Sequence, residues 1–284
     1  MPTYDNLVIG SSGYIGSHLR SKLDSSNSYF ISSSSEFSAF LDSSKDKIFK
    51  RVFWVAGSQS PADQSRYPLE NHPDIVNLRK FFDACREHFE RFVFLSSGGC
   101  IYGPGSGEFF EDSPKSPINP YGELKLMSED LIVRSVDNYA ILRVANVFGL
   151  GQKPNHSQGV IAHWVNAIRS QKTIKVFGKL DSYRDYIDIE SLLDAIILSA
   201  DSRVIDVFNI GSGTKVELSI IIEIFKEAIG NHLGIEYFGP RATDRAGYFL
   251  NSNKAEKVFG WQKPKNIISL LEQTIKRELA KNSL

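Results

Sequence analysis

Cysteine is scarce: only Cys85 and Cys100 occur in 284 residues. Two thiols at that separation make neither a disulfide framework nor a metal-ligand spacing, so no metal and a reducing, cytoplasmic setting are expected. The six histidines show no ligand spacing either. Net charge is missing as well, because 33 lysines and arginines meet 33 aspartates and glutamates. Such a balance offers no electrostatic footprint for nucleic acid, although a local basic pocket stays allowed. No apolar run nears the roughly 18 residues that span a membrane. The opening Met1-Pro2-Thr3-Tyr4-Asp5-Asn6 has no basic, apolar leader pattern. Internal repeats are absent, and low complexity is confined to the serine-rich segment from Ser25 to Ser38.

What is present is the balance of an ordinary globular chain, 42% hydrophobic and 23% charged, long enough for one large domain with a small lobe. Leu7-Val8-Ile9 is a short apolar run ending in glycine, the pattern of a buried parallel strand. Tyr29–Ile31, Val52–Val55, Phe92–Leu95 and Tyr139–Val144 repeat that signal. Helical spacing fills the intervals, at Tyr14–Leu23 and at Asp74–Phe89. Alternation of this kind predicts an α/β fold, a doubly wound parallel sheet whose ligand crevice lies at the carboxyl ends of the strands. After about Gly149 the rhythm loosens into helical pieces (Ile161–Arg169, Ile189–Ala200, Leu218–Ile229) and short strands such as Ile174–Val176. The expected division is a dinucleotide-binding part over 1–150, with later segments returning to it, and a substrate lobe mainly over 151–284.

Two motifs carry the chemistry. In Gly10-Ser11-Ser12-Gly13-Tyr14-Ile15-Gly16, the first glycine permits a tight turn, the second lets backbone approach a pyrophosphate, and the third allows close helix packing. The N–H groups opening the next helix would then face the phosphates. Far downstream, Tyr121 and Lys125 stand four residues apart, on one face of a helix that follows Pro114, Pro117 and Pro120. An ammonium beside a phenol favours the phenolate, so Lys125 is expected to lower the Tyr121 pKa and make it an acid/base. Tyr-x-x-x-Lys alone describes many solvated helix faces; the glycine turn gives it meaning.

Together these motifs resemble the extended short-chain dehydrogenase/reductases, specifically the NAD-dependent nucleotide-sugar epimerase/dehydratase family with its Rossmann-type fold. Further segments are similar to that family's landmarks in the same order: Ala56-Gly57 after a hydrophobic strand, Ser96-Ser97-Gly98-Gly99-Cys100-Ile101-Tyr102-Gly103, Asn119-Pro120-Tyr121-Gly122, Leu142–Gly149, Tyr183–Ile187 and Phe208–Gly213. The resemblance implies Tyr121 as acid/base, with Lys125 holding the nicotinamide ribose. It implies a cofactor site at Gly10, Gly13, Tyr14, Ile15, Gly16, Ser32, Ala56, Gly57 and Lys125. It implies that Arg184 and Arg241 grip the pyrophosphate of a nucleotide-diphosphate sugar, with Asn146 as a hydrogen-bonding partner. A homodimer formed through the helices after Asp74 and around Tyr121 is a further expectation from the resemblance.

Two departures qualify it. The position that holds the family's catalytic serine or threonine is Gly98, and Ser97 is the proposed substitute for catalysis and substrate binding. Ser96 or a water comes next, and Cys100 is a weak donor for this role. The Asp-Glu pair of the family's 4,6-dehydratases is replaced by Gly99 and Cys100, which argues against that subclass. After the second strand, where an acid would bind the ribose 2′-OH of NAD, stand Ser32, Ser33 and Ser34, with the first acid at Glu36. NAD and NADP both stay open. The leading expectation is a nucleotide-sugar 4-epimerase, the alternative an NADPH-dependent 4-ketoreductase, with a non-catalytic nucleotide binder third.

Overall fold

The computed structural model describes residues 1–61, 68–103, 105–154, 159–230, 233–239 and 247–281. The amino-terminal half alternates β1 (Thr3–Ile9), α1 (Tyr14–Lys22), β2 (Ser28–Ile31), α2 (Ser34–Ser43), β3 (Ile48–Trp54), α3 (Pro73–Cys85) and β4 (Phe89–Ser97). A two-residue strand β5 (Glu108–Phe109) precedes α4 (Pro120–Ser135), β6 (Tyr139–Val144) and β7 (Asn146–Phe148). Then come α5 (Val160–Arg169), β8 (Ile174–Phe177), β9 (Tyr183–Arg184), β10 (Tyr186–Asp188), α6 (Ile189–Asp201) and β11 (Asp206–Ile210). The chain ends with β12 (Val216–Glu217), α7 (Leu218–Ile229), β13 (Ile235–Phe238), β14 (Phe249–Leu250), α8 (Asn253–Phe259) and α9 (Ile267–Ala280).

Six strands form one parallel sheet in the order β11-β6-β4-β3-β1-β2. Because β1 lies between β2 and β3, the strand order reverses at β1/β3, and a crevice opens there at the carboxyl ends. The expected Rossmann-type doubly wound sheet is therefore present. Side-chain alternation splits its core cleanly. Leu7, Ile9, Val52, Trp54, Phe92 and Phe94 face one side, against Phe37 and Phe40 of α2 and Phe81 and Phe82 of α3. Val8, Phe53, Val93 and Leu95 face the other, against Leu19 of α1 and Leu192, Leu193 and Ile196 of α6.

A third apolar cluster joins Trp164 of α5, Ile221 and Phe225 of α7 and Leu271 and Ile275 of α9. Yet α6 and β11, which lie beyond residue 150, belong to the main sheet and its flank. The helix expected over Asp74–Phe89 ends at Cys85; Arg86–His88 is a short 3-10 turn and Phe89 already begins β4. Three phenylalanines at 81, 82 and 89 mask that break, since apolar residues continue through it. The serine-rich segment is ordered into β2 and the start of α2, where Ser33 caps the helix by accepting from the Glu36 N–H.

Candidate active site

The glycine turn binds β1, β2 and α1 into one rim. Gly10 has φ +96°, a left-handed backbone that suits glycine, and a Cβ there would stand 2.6 Å from the Ala56 nitrogen at the end of β3. A Cβ on Gly16 would collide with the Gly10 carbonyl, so α1 can press on the turn only without one. Gly13 is different: it is exposed to the crevice, and a Cβ would meet protein only at 3.4 Å. Gly13 is also the N-cap of α1 and offers no side-chain oxygen, and the first turn holds no acid. Its N–H groups and positive dipole end are thus left open to an anion.

The crevice runs from this turn in two connected parts that share Gly13, Val55, Ala56 and Gly57. One part is lined by Gly10, Ser32, Trp54, Ser58 and Asp74. The other holds Tyr14, Ile15, Gly16, Ser97, Tyr121, Lys125, Asn146 and Arg184. Every described residue expected to bind cofactor or substrate therefore borders one continuous cleft. Arg241 lies outside the described residues.

Local sequence explains how Tyr121 is delivered. Asn119 caps α4 by accepting from the Gly122 N–H at 2.8 Å, and Pro120 occupies the first helical position, where no N–H is needed. Any side chain at Gly122 would collide with the Cys100 carbonyl, so this glycine lets the helix start dock on the turn after β4. Ser97, at the end of β4, lines the same cleft as Tyr121, and its side chain acts to lower the pKa of the phenol. Lys125 is buried, donates to the Leu95 carbonyl at 2.9 Å, and holds its ammonium 5.7 Å from the centre of the Tyr121 ring.

The expected electrostatics are reversed in one respect. Burial pushes the Tyr121 phenol above its usual pKa, the nearby Cys100 and Asp74 side chains push it further, and only Ser97 acts against them. Lys125 shares the helix face but not the phenol: its ammonium turns to the Leu95 carbonyl, and burial lowers its own pKa against the pull of Asp74 and Glu129. Spacing along a helix sets which groups share a face, not how wet that face is.

The missing hydroxyl at Gly98 also has a structural cause. A Cβ there would point at Leu250 of β14, 2.5 Å from its Cδ1, not into the cleft. At Gly99 a Cβ would stand 2.7 Å from the Tyr248 hydroxyl, so that buried phenol occupies the space beside the turn after β4. Tyr248 borders the cleft and carries no signal in the sequence. Beneath these residues lies a closed polar network. Arg143 pairs with Glu129 at 2.7 Å, Glu129 takes the Ser96 hydroxyl at 2.6 Å, and Arg143 donates to the Tyr102 phenol at 2.9 Å.

On the substrate side, Asn146 is exposed to the cleft and donates to the Asp185 carbonyl at 3.1 Å. Arg184 is half-buried on the cleft wall and donates to the Tyr183 carbonyl at 2.8 Å. The neighbouring Asp185 carboxylate turns inward, where Ser212 N–H, Ser212 hydroxyl, Gly213 N–H and Leu250 N–H all donate to it. Burial raises its pKa to about 6 despite those bonds. It fastens three segments together instead of offering Arg184 a surface ion pair. Among the described residues no group of three or more metal-ligating side chains occurs, and no helix is long and apolar enough to cross a membrane.

The sequence profile of the NAD dependent epimerase/dehydratase family matches residues 6–211, from β1 through β11. The chain belongs to that family. An Escherichia coli relative of the family, dTDP-4-dehydro-6-deoxyglucose reductase, is 34% identical over 178 residues, which cover 61% of this chain and 56% of the reductase. The UDP-glucose 4-epimerase of Lactobacillus helveticus is 28% identical, and the alignment covers 92% of each protein. In three dimensions the UDP-glucose 4-epimerase of Thermotoga maritima, solved with UDP-glucose, superposes with a TM-score of 0.82 at 26% identity over 97% of this chain and 98% of that one.

The residues present fit the family's dinucleotide. Gly13 has no packing reason to lack a side chain, and a Cβ on it would narrow the crevice where the N–H groups of α1 open. Ser12 ties this turn to the Ser32 carbonyl at 2.8 Å. At the end of β2, the Ser32 N–H and hydroxyl both donate to the Glu36 carboxylate at 2.7 Å. An acid thus reaches the place where the sequence shows only serines, brought back by one turn of α2.

Proposed function

We propose that this protein is an NAD-dependent nucleotide-sugar 4-epimerase. The observation that carries the reading is the gathering of Ser97, Tyr121 and buried Lys125 in the same cleft as the Gly13–Gly16 end of the glycine turn. Bound NAD would supply the hydride acceptor and donor, taking the hydrogen of sugar C4 and returning it to the other face of the 4-keto sugar. Tyr121 takes the proton of the sugar 4-hydroxyl and later gives it back, with Ser97 holding the same oxygen. Lys125 binds the nicotinamide ribose, Arg184 and Arg241 grip the substrate pyrophosphate, and Asn146 hydrogen-bonds the substrate. Gly10, Gly13 and Gly16 shape the phosphate turn, while Tyr14, Ile15, Ala56 and Gly57 wall it. Glu36, held on Ser32, favours NAD over NADP because a 2′-phosphate would meet its negative charge. The part beyond residue 150 that builds the third core is read as the substrate lobe, and α3 and α4 as the contact of a cytoplasmic homodimer.

Two observations favour a second reading. The relative at 34% identity is named a dTDP-4-dehydro-6-deoxyglucose reductase, and a phenol kept protonated by burial suits a 4-ketoreductase, whose first proton transfer is donation. The deciding experiment is to denature the purified protein, identify any released dinucleotide, and incubate fresh protein with UDP- and dTDP-sugars. Retained NAD with a C4-epimerised product supports the epimerase. Stoichiometric oxidation of added NADH or NADPH by a 4-keto sugar establishes the reductase. Failure to bind any dinucleotide at micromolar concentration removes both.

A further inference from the structure

Asp74 stands in the first turn of α3, half-buried, and borders the dinucleotide part of the cleft. No motif points to it, and the proton chemistry above does not use it. Part of its role is ordinary: both carboxylate oxygens accept from the Ser58 N–H, at 3.1 and 3.2 Å. What is unusual is what it faces. A Cβ built on Gly57 would stand 3.8 Å from the Lys125 ammonium nitrogen and 4.0 Å from Asp74 Oδ2. Gly57 itself is exposed to the cleft and forms part of the boundary shared by its two halves. A fixed positive and a fixed negative group thus converge on one open point, and among the described residues neither has an oppositely charged side chain within 4.0 Å.

That pairing selects its ligand by chemistry. A phosphate at this point would gain from Lys125 and be repelled by Asp74. An apolar ring would leave the remaining Lys125 donors and Asp74 acceptors, beyond those bonded to the Leu95 carbonyl and the Ser58 N–H, unsatisfied in a partly desolvated place. A vicinal diol satisfies both, since one hydroxyl can donate to the carboxylate and its neighbour can accept from the ammonium. The dinucleotide carries such a diol on its distal ribose, beyond the pyrophosphate that the Gly10–Gly16 turn would hold. We propose that Asp74 is a ribose-binding residue, which together with Lys125 clamps the distal ribose diol of the dinucleotide over Gly57. The clamp rests on the dinucleotide reading given above. It makes the catalytic lysine one half of a donor–acceptor pair and fixes the distal ribose between β3 and α4.

The test compares two ligands that part company at this ribose. Calorimetric titration of the wild-type protein, Asp74→Ala and Asp74→Asn is run with NAD and with ADP, which ends at the pyrophosphate. Losing charge-assisted hydrogen bonds to the diol should weaken NAD binding to Asp74→Ala by about tenfold or more, while ADP affinity stays within about twofold. Asp74→Asn, whose amide oxygen still accepts, should fall between. An equal loss for NAD and ADP would mean that Asp74 only shapes the Ser58 loop, and an unchanged NAD affinity would leave it no role in binding; either overturns the clamp while the dinucleotide reading stands. Wild-type protein that binds neither ligand overturns the dinucleotide reading itself, and the clamp with it.

Discussion

Tyr121 brings together the opposing demands of this site. To serve as the proposed base its phenol must lose a proton, yet burial, Cys100 and Asp74 hold that proton on, and Ser97 is the one influence acting the other way. The sign follows directly. A phenol whose pKa lies above its ordinary value of about 10 is protonated throughout the neutral range. An epimerase that begins by abstracting the sugar 4-hydroxyl proton should therefore speed up as pH rises from about 6 to 9. A ketoreductase that begins by donating a proton should be flat over the same interval. Measuring kcat against pH for each half-reaction separates the two, and a falling epimerase profile would argue against Tyr121 as the base. Tyr121→Phe should reduce kcat by about 10²–10⁴ while KM and dinucleotide affinity change little. Ser97→Ala should lower kcat by a smaller factor, since one hydrogen bond to the reacting oxygen is lost. Equal activity in Ser97→Ala would pass the role to Ser96 or to a water.

At the level of elements, the cleft depends on how the ends of β4, α4, β6 and β11 are fastened. Glu129 of α4 and Arg143 of β6 are both almost fully buried, and the Tyr102 phenol, which Arg143 bonds, donates in turn to Asn209 of β11 at 2.6 Å. Replacing such a pair with well-packed apolar residues costs little, but removing one partner strands a buried charge. Glu129→Ala should thus destabilise the protein by about 3–5 kcal/mol, read as a fall in the midpoint of urea unfolding with little change in slope. A loss below about 1 kcal/mol would show that Arg143 finds another partner. This network was only partly legible in the sequence. Local signals, such as the strand ending at Gly10, the Asn119-Pro120 cap and the Tyr121/Lys125 spacing, depend on neighbours a few residues apart and were readable directly. Glu129 and Asp185 act on partners 14 and 65 residues away, and Tyr248 fills space left by a glycine elsewhere, at Gly99. Nothing local marks them. Gly98 illustrates the limit best: the sequence shows an absent hydroxyl, while the fold shows that a Cβ there would meet the Leu250 side chain.

Across the whole molecule, the two faces of the sheet carry separate apolar cores, and the cleft opens where strand order reverses between β1 and β3. A dinucleotide bound there would touch the ends of β1, β2 and β3 together with the starts of α1 and α3. Its binding energy would be linked to the unfolding of the whole sheet. Ligand at a hundred times its dissociation constant adds about 2.7 kcal/mol, which for a chain of this size is a rise in melting temperature of a few degrees. NAD should therefore raise the midpoint, and NADP at equal concentration should raise it less, because its 2′-phosphate approaches the Glu36 carboxylate that Ser32 N–H and hydroxyl hold in place. Those same bonds keep the Glu36 carboxyl below its ordinary pKa, so it is ionised at any pH used for the assay. Glu36→Gln preserves an acceptor for Ser32 but removes the charge, and should narrow the gap between the two cofactors without lowering the midpoint reached with NAD by more than about 1 °C. Equal shifts by NAD and NADP in the wild-type protein would show that Glu36 serves only to cap α2, and that the ribose of the adenosine end lies away from it.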